Sequence, residues 1–288
     1  MLIHAISPSW YYRDGWKCFL NARMWPEDAE LKHIELSGFI RFVLVDKYCV
    51  GYSSNYPRYY FHPCQDRKKN LAQCAHCRSK NMSHVCERCR GDFCKIPELD
   101  YYCKKKHVVY VAFFSPDYVK VGISSIDNFE NRIVEQGPFI VLKVMEVQDK
   151  FIARTMEDEL SEYLDIPERV SSLNKEDILL SDYEPARMIE RVIDVKEKLL
   201  RFSNSNAFNV DLDGLIYMSN YYNYDFLGKK LYNFLYTKKL LIEGEVVSNI
   251  GSLTVLQCSE KFFILNLDKL KGWVLDTESE GYRQSRLF

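Results

Sequence analysis

Four cysteines near the middle of the chain have the types and spacing of a metal site. They form two Cys-x-x-Cys pairs, Cys74-Ala75-His76-Cys77 and Cys86-Glu87-Arg88-Cys89, with eight residues between the pairs. Zinc prefers four thiolate or imidazole ligands in a tetrahedron, and a Cys-x-x-Cys turn presents two thiolates to one ion. The spacing therefore predicts a structural zinc site made of Cys74, Cys77, Cys86 and Cys89.

Other arrangements of the cysteines stay open at this stage. Disulfides or buried thiols are the alternative to a metal, although a reducing compartment disfavours structural disulfides. A second metal site, or a replacement for one of the four assigned ligands, could come from Cys64, Cys94, Cys103, His62, His76, His84 and His107. A catalytic zinc is less favoured, because four thiolates leave no open coordination position.

Basic side chains are concentrated around these cysteines. Between residues 62 and 107, 11 Lys or Arg face 5 Asp or Glu, and Tyr101 and Tyr102 lie among them. Such a mixture suits phosphate contacts combined with base stacking. The alternative is a solvated, charged surface over a small metal domain. The residues that we predict to contact nucleic acid are Arg67, Lys68, Lys69, Arg78, Lys80, Arg88, Arg90, Lys104, Lys105 and Lys106.

Composition sets bounds on the protein as a whole. With 288 residues and 47% hydrophobic content, the chain can bury a sizeable core and form two or three units. The 39 Lys and Arg nearly balance the 40 Asp and Glu, so the net charge of -1 gives no sign of a nucleic-acid or membrane partner. No stretch has the roughly 18 apolar residues of a membrane span, and no signal-peptide core is visible. We expect a globular cytoplasmic protein with no membrane partner.

The pattern of apolar residues predicts an α+β fold. Alternating and β-branched runs indicate strands near both ends, and the region after His107 has the order β-β-α-β-α, with a helix ending at Gly137-Pro138. We predict four segments: an N-terminal β unit at 1–61, a cysteine-rich zinc segment at 62–106, an α/β domain at 107–202, and a small antiparallel β unit at 203–288.

The α/β domain contains four short features: Val108-Val109-Tyr110, Lys120-Val121-Gly122-Ile123-Ser124, Arg132 and Glu157. Together they resemble the GIY-YIG domain of structure-specific and homing endonucleases. With the cysteines included, residues 60 to 275 are similar to the domain of unknown function family twenty-seven ninety-seven, which joins a cysteine-rich segment to a GIY-YIG-like core. In that family the join is a Cys, three residues, a His and the first strand, and Cys103-Lys104-Lys105-Lys106-His107 has that form.

The resemblance implies a phosphodiester-hydrolysing site. Tyr110 would help to activate water, Arg132 would steady phosphate charge, and Glu157 would hold a divalent metal such as magnesium. Lys120 stands where the nuclease pattern has its second tyrosine, and an ammonium can contact phosphate but cannot accept a hydrogen bond. Cleavage is therefore in question, and each of these residues also has a purely structural interpretation.

Three hypotheses follow from these observations. The first is a zinc-stabilised nucleic-acid-binding protein whose GIY-YIG-like domain mainly binds phosphate. RNA is favoured over sequence-specific DNA because no recognition-helix motif is visible, and a ribonucleoprotein complex is a candidate partner. The second is a magnesium-dependent endonuclease of the GIY-YIG type. The third is a scaffold for protein interactions.

Overall fold

The computed structural model describes residues 1–27, 31–54, 60–81, 89–92, 100–167, 170–181, 184–206, 213–279 and 282–283. The chain combines helices with strands and divides into two compact units. The first unit joins Met1–Glu87 to Asn223–Phe288, and the second is Arg88–Tyr222. Among the described helices, none has the length and apolar composition that crossing a membrane requires.

The strands are β1 (Leu2–Tyr12), β2 (Trp16–Met24), β3 (Leu31–Glu35), β4 (Phe39–Lys47), β5 (Tyr52–Ser54), β6 (Tyr60–His62), β7 (His107–Phe113), β8 (Val119–Ser125), β9 (Ile140–Val147), β10 (Leu215–Tyr217), β11 (Leu231–Asn233), β12 (Leu240–Ile250), β13 (Leu253–Cys258), β14 (Lys261–Asn266), β15 (Trp273–Asp276) and β16 (Tyr282–Arg283). The helices are α1 (Ala75–Lys80), α2 (Asp100–Cys103), α3 (Phe129–Gln136), α4 (Lys150–Leu164), α5 (Ser172–Leu180), α6 (Pro185–Asn206) and α7 (Leu267–Leu270).

The first unit is built on one ten-stranded sheet. Its order is β11-β14-β13-β12-β4-β15-β1-β2-β3, with β16 also paired to β12. Strand β4 lies between β12 and β15, so the beginning and the end of the chain share one core. Ile242 lies opposite Phe42, and Leu275 lies opposite Leu44. All four side chains are buried, and each stabilises the fold by roughly 1.5–3 kcal/mol through loss of apolar surface to water.

This sheet differs from the four segments expected from the sequence. That division placed 1–61 and 203–288 in separate units, whereas the structure pairs strands from both. The pattern within a strand gives its length and buried face, but it carries no information on which distant strand lies beside it.

The second unit contains a four-stranded antiparallel sheet in the order β10-β9-β7-β8. Every residue of β7 is buried, so this strand is the centre of the core. The elements β7-β8-α3-β9-α4 follow in the order that the sequence predicts. Gly137, with φ of 74°, ends α3, and the Asp149 side chain caps α4 by accepting a hydrogen bond from the N–H of Ile152 at 2.9 Å.

Candidate functional site

The first candidate site is a buried cluster of four thiols in the first unit. The Sγ atoms of Cys49, Cys64, Cys74 and Cys77, which we call the cysteine cluster, all lie within 4.8 Å of one another. A tetrahedral zinc with Zn–S bonds of about 2.3 Å holds its sulfurs roughly 3.8 Å apart. The Sγ atoms of Cys64 and Cys74 are separated by 4.0 Å. The four cysteines could therefore hold a metal ion, and their chemistry is consistent with zinc.

Backbone N–H groups surround the sulfurs. Cys74 caps the start of α1, and its Sγ accepts from the N–H of Cys77 at 3.4 Å. The Sγ of Cys49 accepts from the N–H of Cys74 at 3.2 Å and from the N–H of Gly51 at 3.4 Å. Donors of this kind favour the thiolate form, which is the form that binds metals.

The loop that carries Cys49 is fixed by its backbone. The N–H of Cys49 donates to the carbonyl of Lys68 at 2.9 Å, and the N–H of Val50 donates to the carbonyl of Ala72 at 3.0 Å. Gly51 has φ of 76°, and a Cβ at this position would lie 2.1 Å from the carbonyl oxygen of His62. Only glycine fits, because a side chain would meet both a strained backbone and a collision.

The protonation of the cluster depends on the balance between these donors and burial. The N–H of Cys77 is the largest influence on Cys74 and lowers its pKa to about 7. Burial raises the pKa of the thiols of Cys49 and Cys77. Four thiolates can therefore coexist here only with a cation among them, so binding of a metal ion would release protons.

Only half of the predicted ligand set lies in this cluster. Cys74 and Cys77 are members, together with Cys49 and Cys64. Cys86 lies outside the described residues, and Cys89, in the second unit, is not a member of the cluster.

The sequence offers Cys64 as a replacement ligand, but it does not point to Cys49, which lies outside the cysteine-rich segment 62–106. One signal could have found it. In Cys49-Val50-Gly51 and again in Cys89-Arg90-Gly91, the glycine N–H donates to the Sγ of the preceding cysteine. In both places the Cys-x-Gly pattern forms a turn whose glycine N–H contacts the cysteine sulfur. Of the other two cysteines left open by spacing, Cys94 lies outside the described residues and Cys103 is half-buried at the end of α2.

The second candidate site is a group of charged side chains in the second unit. Lys120 on β8, Arg132 on α3, Arg154 and Glu157 on α4, and Lys175 on α5 form what we call the basic cluster. Burial is the largest influence on Lys120 and, together with the positive charges of Arg132, Lys175 and Arg154, lowers its pKa to about 7. The carboxylate of Glu157 opposes this effect in part. The positive charges of Arg132, Arg154 and Lys175 all act on the Lys120 ammonium.

Tyr110 of β7 lies beside this cluster and is completely buried. It pairs with Gly122 of β8, and a Cβ on Gly122 would lie 2.7 Å from the Cζ of Tyr110. The missing side chain therefore makes room for the aromatic ring. Lys120 precedes Gly122 by two residues, so both positions lie on the same face of β8. The Tyr110 hydroxyl donates to the Oε1 of Gln136 at 3.1 Å, and burial raises the pKa of Tyr110.

The remaining groups are held by local contacts. Glu157 is 3% exposed and forms an ion pair with Arg154, one turn earlier on α4. The Nζ of Lys175 donates to the backbone carbonyl of Gln136 at 2.5 Å. Arg132 is exposed, and its charge acts on both Tyr110 and Lys120.

The structure thus brings together Tyr110, Lys120, Arg132 and Glu157, the residues singled out from the sequence as catalytic candidates. The motif did not identify Arg154 or Lys175. Arg154 could have been found from its position three residues before Glu157, since such pairs meet on a helix. Lys175 could not, because no motif of the resemblance extends to α5.

The basic residues predicted to contact nucleic acid divide between the two units. Those of the first unit, Arg67, Lys68, Lys69, Arg78 and Lys80, are exposed.

Three of these cations lie over aromatic rings. Arg67 is 5.1 Å from the ring centre of Trp25, Lys69 is 5.5 Å from that of Tyr48, and Lys80 is 5.5 Å from that of Tyr52. The rings of Trp25 and Tyr48 stack at 4.5 Å. Cations and aromatic faces therefore alternate on this surface.

The second unit holds the remaining described members of the set. Arg90 pairs with Asp158, and Lys104 pairs with Asp100. Lys105 contacts Asp127 at 2.6 Å and lies over the rings of Tyr101 and Tyr102, and Lys106 is exposed. Arg88 lies outside the described residues.

Comparison with known proteins yields one match. A family model described as Protein of unknown function (DUF2797) matches residues 39–275. No curated protein and no solved structure matches the chain. The matched segment runs from the start of β4 nearly to the end of β15 and contains both clusters.

Proposed function

The chain belongs to the DUF2797 family, and from that premise we propose that it is a zinc-stabilised protein that binds nucleic acid, RNA in preference to DNA, through phosphate groups. The observation that carries this proposal is the convergence of four cationic side chains on the basic cluster. Zinc held by the cysteine cluster would supply the stability of the first unit.

Partly buried cations of like sign are costly to hold together. Taking a charge out of water carries a desolvation penalty, and neighbouring cations add repulsion. Both effects are visible in the lowered pKa of Lys120. An anion bound among these groups would relieve both costs. A phosphate suits them well, since guanidinium groups form forked hydrogen bonds to its oxygens and ammonium groups act as point charges.

Two features favour binding over cleavage within the GIY-YIG-like arrangement. Tyr110 is completely buried, and its raised pKa disfavours the tyrosinate that would accept a proton from water. Glu157 is already paired with the guanidinium of Arg154, which competes with a divalent metal for the carboxylate. The groups with access to a phosphate are the cations, and these bind without requiring turnover.

The surface near the cysteine cluster suits a single strand with unpaired bases. Arg67 over Trp25 and Lys69 over Tyr48 place positive charge beside aromatic faces. Unpaired bases stack on such faces, and the backbone of the same strand meets the cations. Single-stranded RNA offers both groups at once, whereas the bases of duplex DNA are already paired and stacked.

Fluorescence anisotropy with labelled single-stranded RNA, single-stranded DNA and duplex DNA over a series of salt concentrations tests this function. We expect the tightest binding to RNA. Arg132→Ala should weaken binding and reduce the slope of log affinity against log salt by about one counterion. Arg201→Ala is the matched control, because Arg201 is an exposed arginine on α6, which lies outside the basic cluster, and it pairs with Glu197. Equal loss in both variants, or no binding of any nucleic acid by the wild type, would reject the proposal.

A second candidate is a magnesium-dependent nuclease. Its support is electrostatic: the charge of Arg132 and that of Glu157 both act on Tyr110 and on Lys120, so the groups needed for hydrolysis are coupled. Incubation of RNA and DNA with magnesium tests it. Cleavage that is lost in both Glu157→Gln and Tyr110→Phe would promote the nuclease to first place.

A further inference from the structure

The first unit contains an open groove that neither cluster uses. Its cavity volume is about 660 Å³, which falls within the roughly 300–1,000 Å³ that ligand-binding sites occupy. Phe39, Phe234 and Phe263 line it, and we call it the phenylalanine groove. The rings of Phe234 and Phe263 stack at 4.9 Å, whereas Phe39 is 64% exposed. The groove therefore presents aromatic surface to a group that can cover it.

The groove lies beside a gap in the pairing of β12. On one edge, β12 pairs with β4 through residues 241–245. Because β4 occupies that edge, β16 and β13 must share the other one. There β16 pairs with residues 240–241, and the pairing of β13 begins only at Glu245. Among the described strands, none pairs with residues 242–244 on this second edge, which is open.

The side chain of Cys258 blocks a straight path along this open edge. Its Sγ donates to the carbonyl of Glu243 at 2.7 Å. A Cβ on Gly244 would lie 2.9 Å from the same sulfur, so the thiol lies directly against the backbone of β12. All three residues line the phenylalanine groove. A chain that follows the open edge must therefore turn out of the sheet at this point, where the groove offers space.

The chain that follows β16 is directed along this edge. Strand β16 runs parallel to β12 and places Arg283 opposite Leu241. Residues 284–288, with the sequence Gln-Ser-Arg-Leu-Phe, lie outside the described part of the chain. The same register leads them toward Cys258. Five extended residues reach roughly 17 Å, which is enough to pass a three-residue gap of roughly 10 Å and enter the groove.

Two residues of this segment match the apolar part of the groove. Leu287 and Phe288 are adjacent large apolar residues. Contact with the phenylalanine rings would remove apolar surface from water on both partners, and aromatic rings gain further from edge or offset contacts. The exposed ring of Phe39 would be covered by the same contact.

The charge of the segment matches the rim of the groove. Arg286 is the one charged residue among residues 284–288. Glu260 lines the groove and is exposed in the turn between β13 and β14. The other charged groups of the wall have contacts of their own, since Glu243 pairs with Arg41 at 3.6 Å and Lys261 lies over an aromatic ring. A guanidinium beside Glu260 would meet a carboxylate of opposite charge.

We propose that residues 284–288 of this chain dock in the phenylalanine groove, with Leu287 and Phe288 against its aromatic wall and Arg286 beside Glu260. The docked segment continues the parallel pairing of β16, so the open edge of β12 gains a partner. It also restricts access to the thiol of Cys258. The contact lies within the first unit and is independent of the proposed nucleic-acid-binding function.

A thiol introduced into the segment tests this contact, because Cys258 can trap it as a disulfide. Leu287→Cys and Phe288→Cys are made separately in the full-length protein and treated with oxidised glutathione. Neighbouring residues of an extended chain point to opposite sides, so one variant of the pair should face Cys258. The control is Glu278→Cys, at an exposed position of the same unit that does not line the groove.

We expect that one variant joins Cys258 within the same chain at least about tenfold faster than the control, because docking raises the effective concentration of the two thiols. Peptide mapping identifies the bond, and non-reducing electrophoresis shows whether it lies within one chain.

A second reading adds no thiol. With residues 284–288 removed, or with Leu287→Ser and Phe288→Ser combined, Cys258 should react with iodoacetamide about tenfold faster because its cover is lost. Ser285→Ala is the matched control and should keep the slow rate.

The outcomes decide which chain fills the groove. A disulfide within one chain, with faster alkylation of Cys258 in the shortened protein, supports the docked segment. A disulfide between two chains would assign the groove to a second copy and overturn the inference. Equal trapping in all three thiol variants, with Cys258 equally reactive with and without residues 284–288, would overturn it as well.

Discussion

The cysteine cluster and the basic cluster both gather side chains from separate elements, but they require opposite ions. The thiols of Cys49 and Cys77 are held protonated by burial, so that site becomes fully charged only when a cation binds. The basic cluster is positively charged without a ligand, and burial together with the neighbouring cations lowers the pKa of Lys120. All four cysteines are buried, whereas Arg132 keeps the other site open to solvent. On the function proposed above, the cysteine cluster would stabilise the fold and the basic cluster would bind a partner.

Removal of one thiol should give the largest effect. In Cys49→Ser we expect loss of bound zinc and a fall of about 3 kcal/mol or more in the free energy of unfolding of the first unit, since structural zinc sites contribute roughly 10 kcal/mol. Elemental analysis and thermal unfolding measure both quantities. The sequence spacing predicts Cys89 as a zinc ligand, but Cys89 is not a member of the cysteine cluster. The variant Cys89→Ser should therefore keep the metal. If Cys89→Ser lost zinc and Cys49→Ser kept it, the structural role of this cluster would have to be reassigned.

The contact between Gly122 and Tyr110 should give the next largest effect. Gly122→Ala places a methyl group against a buried ring and should destabilise the second unit by about 1–3 kcal/mol, as overpacked cores do. The double variant with Tyr110→Leu should be more stable than the sum of the single changes predicts, because the shorter side chain gives room to the methyl group. Denaturant unfolding of the four proteins measures the coupling. Strict additivity would show that the ring and the glycine do not restrict each other.

Titration of Lys120 should give a smaller effect. As the pH rises, the affinity for RNA should fall and the free energy of unfolding should rise. From pH 7 to pH 9 a backbone phosphodiester keeps its single negative charge, while Lys120 loses its proton, so the affinity for RNA should fall by up to about tenfold. The folded pKa of about 7 lies below the ordinary 10.5, so the unfolded chain binds the extra proton in this window and stability rises with pH.

Lys120→Met should abolish both trends of this titration. The charges that face Lys120 come from Arg132 on α3, Arg154 and Glu157 on α4, and Lys175 on α5, so all three helices must stay in place for the comparison. Anisotropy and thermal unfolding across the pH range provide the two readings. An affinity that rises between pH 7 and pH 9 would contradict a binding role for the Lys120 ammonium.

The smallest effect is expected from Glu157→Gln. The amide keeps the shape of the side chain and can still accept from Arg154, so the affinity for RNA should change by less than about threefold. This variant distinguishes a nuclease from a binding site. A nuclease would lose its metal-binding carboxylate and with it cleavage, whereas a binding site would keep most of its affinity for RNA. Affinity and magnesium-dependent cleavage should be measured on the same preparation.

The sequence predicted local features of both units far better than their long-range pairing. The strands and helices from His107 to Leu164 could be read from apolar periodicity and from the break at Gly137-Pro138. Cys74 and Cys77 could be read from their spacing on one turn. Cys49 could not, because the loop that brings it to the other thiols is set by hydrogen bonds to Lys68 and Ala72, which leave no periodic signal.

The basic cluster shows the same limit. Lys120, Arg132 and Glu157 are found through a resemblance of ordered motifs, but Lys175 comes from a helix that the motifs do not cover. Gln136 has no distinguishing sequence context, and its hydrogen bond with Tyr110 is seen only in the structure. Contacts between side chains from different elements are what the linear pattern omits.

The placement of β4 between β12 and β15 has a consequence for the order in which the chain becomes ordered during synthesis. Arg88–Tyr222 leaves the ribosome as one continuous segment and can fold at once, since domains generally fold as units as they emerge. Strand β4 must wait, because it gains both its neighbours only after Asp276 has been made. Until then the thiols of Cys49, Cys64, Cys74 and Cys77 are already available, so early capture of a metal ion would give the nascent N-terminal segment a fixed point before its sheet exists.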